Sequence, residues 1–290
     1  MNNMNGIVLA VYASFFLAIS QAALKKSFRD LDPSISFFFN AVLGIAIWIP
    51  LAIFFGASIA ELPQTVVYAI ISGILAEGLV FYALSKGQLS ITSTILASYP
   101  VYTIVSSYFI NNERLSLWQL IFAAVTIVGT LISYLPSKFS WDELKKSGAI
   151  FWPVIAAFGA GFSDTLAKHV INATSSFSFL LALALVQLPI ALIYLWIEKH
   201  KALTVLKDVY KNAPEYKFPL LGSVFNIVGT GFLLISFNYT LASLASPITA
   251  TSGVILVLLA TIFMDEKIRL KHVLGIIMVL VGILGISSIQ

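Results

Sequence analysis

Glu77 is one of two acidic side chains that fall inside long apolar stretches of this 290-residue sequence. It lies in the stretch 64–84, about 10 Å from the nearer end if that stretch is a helix. A carboxylate inside a bilayer is costly, so Glu77 is expected to be protonated or matched to a cationic group. Two interpretations stay open: a structural ion pair with Lys25 or Lys86, and contact with a substrate or an exchanging proton.

Asp164 is the second such acid, and it precedes Lys168 by one helical turn in the stretch 149–168. An acid four residues before a base is the favourable order for an ion pair on a helix. We therefore expect this pair to stabilise the end of its helix. The alternative is a gate near one mouth of a cavity, because Gln21 occupies the matching place in the first half of the chain.

Aromatic and polar side chains in the apolar stretches are the other candidate contacts for a substrate. Ring faces near Glu77 could hold a cation, and hydroxyl or amide groups could bond a substrate near mid-membrane. The polar groups could instead bond each other between helices, for ~0.6 kcal/mol on average. The candidates are Phe81, Tyr82, Tyr99, Tyr102, Asn226, Thr230 and Thr249.

The composition is that of an integral membrane protein. Hydrophobic residues make up 59% of the chain and charged residues 10%, whereas soluble domains carry roughly 25% charged residues. We predict an all-α membrane fold with ten transmembrane helices, each near the length that crosses a bilayer. The predicted helices are 6–24, 35–55, 64–84, 90–110, 115–135, 149–168, 177–197, 217–239, 244–263 and 270–288.

Motifs for enzymatic chemistry are missing from the sequence. There is no cysteine, no phosphate-binding glycine loop, no HExxH and no GxSxG. The three histidines fall at predicted helix ends or in a loop. We therefore expect no catalytic residue, no metal site and no cofactor, and a protein that is not an enzyme.

One pattern occurs twice, 153 positions apart: a helix with small residues, an acidic elbow and a second helix. Ser90 matches Ser243, and the elbow acids Glu113 and Glu266 match each other. Such duplication is typical of transporters built from repeats. We expect each elbow acid to organise its helix hairpin by binding backbone N–H groups at the start of the following helix.

The duplication predicts two halves, residues 1–136 and 147–290, with five helices each. An odd number of spans in each half places the two halves in opposite orientations, which is an inverted repeat.

The repeated segments resemble the EamA family of the drug/metabolite transporter superfamily. The first copy has Tyr99-Pro100-Val101 and then Glu113-Arg114, and the second has Gly253 in the place of Pro100 and then Glu266-Lys267. The resemblance covers nearly the whole chain. It implies a secondary transporter of small metabolites that works by alternating access, with export of amino acids or related compounds.

Other functions stay open at this point. Glu77 among aromatic rings would suit an organic cation, such as a quaternary amine or a drug. A passive channel and an intramembrane lipid-modifying enzyme are alternatives from other classes, although the missing nucleophile–base set argues against the enzyme. The expected partners are a small-molecule substrate and the lipid bilayer, without nucleic acid, and the chain is expected to be a monomer or a homodimer.

Loop charges predict the orientation. Loops that follow the odd-numbered predicted helices carry 15 of the 17 Lys and Arg residues, which leaves only Arg114 and Lys168 for the opposite face. Positive loops stay cytoplasmic, so we predict a multi-pass protein of the cell membrane with both termini outside the cytoplasm. The basic loop 198–217 is expected to form a short interfacial helix at an anionic leaflet, or else to bind a partner.

Overall fold

The structure is a computed structural model that describes residues 3–28, 31–86, 89–134, 150–212, 214–256, 258 and 270–289. Within this part of the chain it is all helical and contains no strand. The α-helices are α1 (Asn3–Ser27), α2 (Pro33–Phe54), α3 (Leu62–Ser72), α4 (Leu79–Lys86), α5 (Leu89–Leu96), α6 (Tyr99–Ile110), α7 (Leu117–Tyr134), α8 (Phe151–Ala173), α9 (Ser176–Ile197), α10 (Ala202–Lys211), α11 (Lys217–Ser236), α12 (Ala242–Ala250) and α13 (Leu270–Ser288).

The described helices confirm a helical membrane protein. Six stretches are long and apolar enough to cross a membrane: Met4–Leu24, Pro33–Phe54, Ile59–Ser85, Ser176–Ile197, Lys217–Ser236 and Leu270–Ser288. Three apolar helices are shorter, namely Thr94–Ile110, Leu117–Ser133 and Ala242–Leu256. Helix α8 has the length of a span but carries Asp164 and Lys168, and it is not among the six. Ten spans in an inverted repeat therefore remain a prediction.

Predicted helix 90–110 is interrupted rather than continuous. Its first part ends at Leu96 and the chain becomes helical again at Tyr99. Pro100 explains the break, because it has no N–H to donate and its ring clashes with the carbonyl four residues earlier, that of Leu96. Pro100 is visible in the sequence, so the break was predictable. The prediction of one continuous helix over 90–110 was wrong.

The matching helix of the second half is interrupted at the matching place. Helix α12 ends at Ala250, Thr251 is a turn residue, and helical structure resumes over 252–256. Gly253 stands where the first half has Pro100, and glycine weakens a helix without breaking it as proline does. The end of predicted helix 244–263, and Glu266 beyond it, lie outside the described residues.

A third irregular segment joins α3 to α4. Residues Gly73–Gly78 form a π-helical stretch that includes Glu77. Such short π segments are rare within α-helices and are frequent at functional sites. Glu77 therefore lies on irregular backbone, which predicted helix 64–84 did not anticipate.

Small residues allow close helix pairs. Helices α7 and α13 pack together at Gly129, where an added Cβ would lie 2.7 Å from the Met278 Cβ. Helices α1 and α11 approach in the same way at Gly229, where an added Cβ would lie 2.7 Å from the Leu17 Cγ. In lipid, the van der Waals packing that such close backbone approach allows is a main source of helix association.

Candidate functional site

A cavity of about 190 Å³ lies among helices from both predicted halves. Residues of α1, the α3–α4 segment, α6, α8, α9, α11 and α12 form its walls. Seven of the nine predicted contact residues line it: Glu77, Phe81, Tyr99, Asp164, Asn226, Thr230 and Thr249.

Tyr82 and Tyr102, the other two predicted contacts, are not among the lining residues. The Tyr82 ring packs edge-on against Trp152, with 5.0 Å between the centroids. The Tyr102 ring packs edge-on against Phe158 at 5.7 Å. Tyr102 follows Tyr99 by three residues and so shares a face of α6 with it, but that face lies partly against the cavity and partly against α8. The sequence pattern could not resolve this division.

Two carboxamides hold the Glu77 carboxyl group. Its Oε2 atom lies 3.5 Å from the Asn40 Nδ2 atom and 3.2 Å from the Asn226 Nδ2 atom, and both amides donate. Asn226 also donates to the Asn40 Oδ1 atom at 3.0 Å. The amide partners come from α2 and α11, so the cluster joins both predicted halves. The side chains of Lys25 and Lys86, the predicted ion-pair partners, lie outside the described part.

The predicted ion pair between Asp164 and Lys168 is not formed. The Asp164 Oδ2 atom accepts a hydrogen bond from the Ser246 hydroxyl at 2.5 Å, and the Lys168 ammonium donates to the Phe237 carbonyl at 2.5 Å. Phe237 follows the last residue of α11, where carbonyls lack intrahelical donors and the helix dipole is negative. That carbonyl provides the lysine with a buried partner from another helix.

Glu113 binds a helix N-terminus, but not the one predicted. Its carboxylate accepts the backbone N–H groups of Ala242 at 3.1 Å and Ser243 at 2.9 Å, and also the Ser243 hydroxyl. These groups begin α12, 129 and 130 positions away in the chain. The expected target was the following helix, α7. Carboxylates are stabilised by the free N–H groups and positive dipole of any nearby helix start, and here that start belongs to the other half.

Further hydrogen bonds join α6 to the second half beside Asp164. The Thr165 hydroxyl is 2.5 Å from the Ser106 hydroxyl and 3.0 Å from the Ser107 hydroxyl. The Asn111 amide donates to the Thr165 carbonyl at 3.0 Å, and the Tyr99 hydroxyl donates to the Ser246 carbonyl at 3.1 Å. Together with the hydrogen bonds of Glu113 and Asp164, these bonds form a group that we call the polar seal. Its residues are Tyr99, Ser106, Ser107, Asn111, Glu113, Asp164, Thr165, Ala242, Ser243 and Ser246.

The cavity wall combines acidic groups with unused hydroxyl groups. Among the described lining residues, Glu77 and Asp164 are acidic and none is Lys, Arg or His. The hydroxyls of Ser20, Ser72 and Thr249 also line the cavity, are buried, and have no hydrogen-bond partner within the described structure. Because buried polar groups are nearly always paired, these hydroxyls are available to a ligand or to water.

Comparison with known proteins identifies the family. A model of the EamA-like transporter family matches residues 4–135 and again residues 147–288. The chain belongs to the EamA-like transporter family. A relative from Archaeoglobus fulgidus, named an uncharacterized transporter, is 24% identical over 283 residues, which is 96% of each chain. The protein is therefore a multi-pass membrane transporter of the drug/metabolite type.

A solved structure supports the fold of this EamA-like transporter. One crystal structure superposes with a TM-score of 0.74 and covers 97% of both chains, at 14% sequence identity. At that identity the likeness concerns the fold alone.

Sequence reasoning missed two partners in the transporter's cavity region. Asn40 interrupts the apolar run Phe37–Val42, and a lone amide inside such a run was a detectable signal for a polar cluster. Ser246 carries no comparable signal, because it is one of several small residues in the stretch 242–250. Its partner Asp164 is 82 positions away, and no local pattern links the two.

A group of potential metal ligands lies apart from the cavity lining. The ligand atoms of Asp32, Glu198 and His200 fall within 4.8 Å of one another. His200 already contacts Asp32 at 2.7 Å, and the Glu198 Oε2 atom accepts the Ser34 N–H at 3.2 Å. These contacts join the beginning of α2 to the end of α9.

Proposed function

We propose that this transporter exports amino acids or related small amines across the cell membrane by alternating access. The supporting observation is the cavity wall, whose described residues include the carboxyl groups of Glu77 and Asp164 and no basic side chain. Charge complementarity favours a ligand that brings its own cationic group. An ammonium group meets that requirement.

The rest of an amino acid also has suitable partners. A substrate carboxylate can accept hydrogen bonds from the unpartnered hydroxyls of Ser20, Ser72 and Thr249. The interrupted helix beginning at Tyr99 also borders the cavity. Half-helix starts of this kind face anionic substrate groups in other secondary transporters. The wall therefore offers acceptors for an amine and donors for a carboxylate.

The polar seal supplies the gate in this proposal. It joins α6 to α8 and α12, and so connects the two predicted halves on the Asp164 side of the cavity. In the orientation predicted from the loop charges, this side faces outward. Export then requires the seal to open while the two halves close together near Glu77, in the manner of two repeats rocking around a fixed site.

A substrate screen by counterflow in proteoliposomes tests the proposal. Amino acids, quaternary amines and nucleosides are compared as internal substrates for uptake of a labelled amino acid. Saturable exchange by amino acids supports the proposal. Exchange by nucleosides alone would contradict it, and currents at pore-like rates in planar bilayers would indicate a channel.

Organic cations are a second candidate substrate class. Phe81 and Tyr99 line the same cavity as Glu77, and aromatic faces stabilise cations that lack hydrogen-bond donors. In the same screen, quaternary amines that exchange while amino acids do not would favour this candidate.

The proposed orientation has its own test. Cysteines introduced at Asn3 and Lys207 of this cysteine-free chain are probed on intact cells with a membrane-impermeant thiol reagent. We expect labelling at Asn3 and none at Lys207, because basic loops face the cytoplasm. The opposite pattern would reverse the topology and put the polar seal at the cytoplasmic face.

A further inference from the structure

Helix α10 presents two separate apolar stripes. Ala202, Val205 and Val209 form one stripe, which packs with the cluster of apolar residues around Phe39 and Leu195. The second stripe is exposed: Leu203 is 73% exposed, Leu206 46% and Tyr210 90%. At about 100° per residue the two stripes are roughly 100° apart around the helix axis. The exposed stripe therefore faces away from the protein core and needs another partner.

A fixed contact sets the rotation of this helix. The Asp208 carboxylate accepts hydrogen bonds from the Tyr216 hydroxyl at 2.5 Å and from the Asn212 amide at 3.0 Å. The Tyr216 ring packs edge-on against Phe39 at 5.6 Å. Burial, and next the hydrogen bond to Asp208, raises the pKa of Tyr216 to about 12, so the phenol remains a donor. The exposed stripe is thus held in one direction.

Short links keep α10 at the membrane surface. The preceding span ends at Ile197 and the next begins at Lys217, while α10 runs from Ala202 to Lys211. Trp196 and Ile197, at the end of the preceding span, are also highly exposed apolar residues. A helix connected this closely at both ends cannot leave the bilayer surface.

Lysines lie along one side of the exposed stripe and before its helix. Lys207 and Lys211 lie on the polar face next to it, and Lys199 and Lys201 precede the helix. Within the described residues, none of these four has an acidic group within 4.0 Å, since the ion pair found there joins His200 and Asp32. The one acid of the helix, Asp208, is occupied by Tyr216 and Asn212. The lysines are therefore available to an anionic surface.

We propose that α10 is a binding surface for anionic phospholipid. Leu203, Leu206 and Tyr210 insert among the acyl chains at the interface, and Lys207 and Lys211 bind lipid phosphate groups. Exposed apolar area combined with flanking lysines is what lets interfacial helices bind anionic leaflets. The surface lies outside the transport cavity, so it binds lipid whatever substrate the cavity carries.

Two single-cysteine variants test the insertion. Leu206→Cys reports on the exposed stripe, and Thr204→Cys, on the polar face of the same helix, is its matched control. Each is labelled with an environment-sensitive fluorophore and reconstituted with phospholipid that carries a quencher near the glycerol backbone. We expect strong quenching at position 206 and little at position 204. Equal quenching at both positions, or none at either, would overturn the proposal.

A second pair of variants tests the lipid charge. Purified protein is titrated with phosphatidylglycerol, phosphatidylcholine or inorganic phosphate, and the thermal unfolding midpoint is followed. We expect phosphatidylglycerol alone to raise the midpoint. The double variant Lys207→Gln/Lys211→Gln should bind it roughly 25-fold more weakly, since each lysine near an anionic surface contributes about fivefold. The double variant Lys207→Arg/Lys211→Arg should bind like the parent.

The other outcomes of this titration contradict the proposal. Equal stabilisation by phosphatidylcholine would show that the lysines are not used. Equal stabilisation by inorganic phosphate would indicate an ion site without membrane contact. An unchanged response in the glutamine variant would exclude Lys207 and Lys211 as the lipid ligands.

Discussion

Glu77 and Asp164 line one cavity with nearly the same burial, at 7% and 8% exposure, but their surroundings differ. Glu77 receives two amide N–H groups, at 3.5 and 3.2 Å. Asp164 receives the Ser246 hydroxyl at the much shorter distance of 2.5 Å. Glu77 also lies on a π-helical stretch, whereas Asp164 lies on a regular α-helix.

The difference suggests different roles for the two carboxyl groups. The two amide hydrogen bonds to Glu77 are long, and a substrate ammonium group can replace them with a shorter bond in which both partners are charged. The hydrogen bond of Asp164 joins α8 to α12 within the second half, and both of these helices also bond α6 of the first half in the polar seal. We therefore assign substrate contact to Glu77 and closure of the cavity to Asp164.

The largest effect is expected for Glu77→Gln, which keeps the size of the side chain and removes its charge. Substrate affinity should fall at least about tenfold, because a hydrogen bond to a charged group contributes roughly 1.5–3 kcal/mol. Counterflow in proteoliposomes measures this, with Glu215→Gln as the acid-to-amide control at an exposed position away from the cavity. Parent-like transport at every pH would leave Glu77 with a structural role only.

The same variant distinguishes two mechanisms. If Glu77 binds a cationic group, affinity should be lost at every pH. If Glu77 carries a coupling proton for a neutral substrate, counterflow should persist and the pH dependence of net flux should disappear.

The next largest effect is expected for Glu113→Gln, and on stability rather than affinity. The amide keeps one acceptor for the N–H groups of Ala242 and Ser243 but loses the charge that favours a helix start. We expect the free energy of unfolding to fall by roughly 1.5–3 kcal/mol, measured by thermal unfolding in detergent. The repeat predicts the same for Glu266→Gln. Intact stability with abolished binding would instead make Glu113 part of the substrate site.

The sequence predicted the acids better than it predicted their partners. A charge inside an apolar run identifies Glu77 and Asp164 on its own, because the cost of burying it does not depend on the rest of the fold. The hydrogen-bond partners of these acids depend on how distant helices pack in the folded protein. Local spacing favoured Lys168 for Asp164 and α7 for Glu113, yet both acids bind groups of α12, far away in the chain.

The helical organisation was similarly predictable in outline. Hydropathy located the apolar helices, and Pro100 marked a break whose consequence was overlooked. The π-helical stretch at Gly73–Gly78 had no clear signal beyond its two glycines. The rotation of α6 against α8 decides that Tyr99, and not Tyr102, lines the cavity. Spacing along the sequence does not determine that rotation.

A smaller effect is expected for Asn226→Ala, which removes one amide donor from Glu77. Neutral hydrogen bonds contribute about 1 kcal/mol, so substrate affinity should change by about fivefold. Ser223→Ala is the matched control, because this hydroxyl lies on the same helix and, within the described residues, donates to the Ser36 carbonyl at 3.3 Å rather than to the Glu77 cluster. Binding of a labelled substrate to purified protein measures both. Equal effects of the two variants would argue against a cluster around Glu77.

The smallest effect is expected for Asp164→Asn. The amide oxygen still accepts the Ser246 hydroxyl, so stability should change by at most about 1 kcal/mol and substrate affinity by no more than about twofold. Thermal unfolding and substrate binding are measured on the same preparation. An affinity loss as large as that of Glu77→Gln would remove the distinction between the two acids.

The most direct test asks whether Glu77 recognises the amine of the substrate. A transported amino acid and its analogue with a hydroxyl group in place of the amine are compared for binding to the parent, Glu77→Gln and Asp164→Asn. The parent and Asp164→Asn should both prefer the amine, by at least about tenfold if one charge-assisted hydrogen bond is involved. Glu77→Gln should lose that preference. Retention of the preference by Glu77→Gln, or its loss in Asp164→Asn, would contradict the assignment of substrate contact to Glu77.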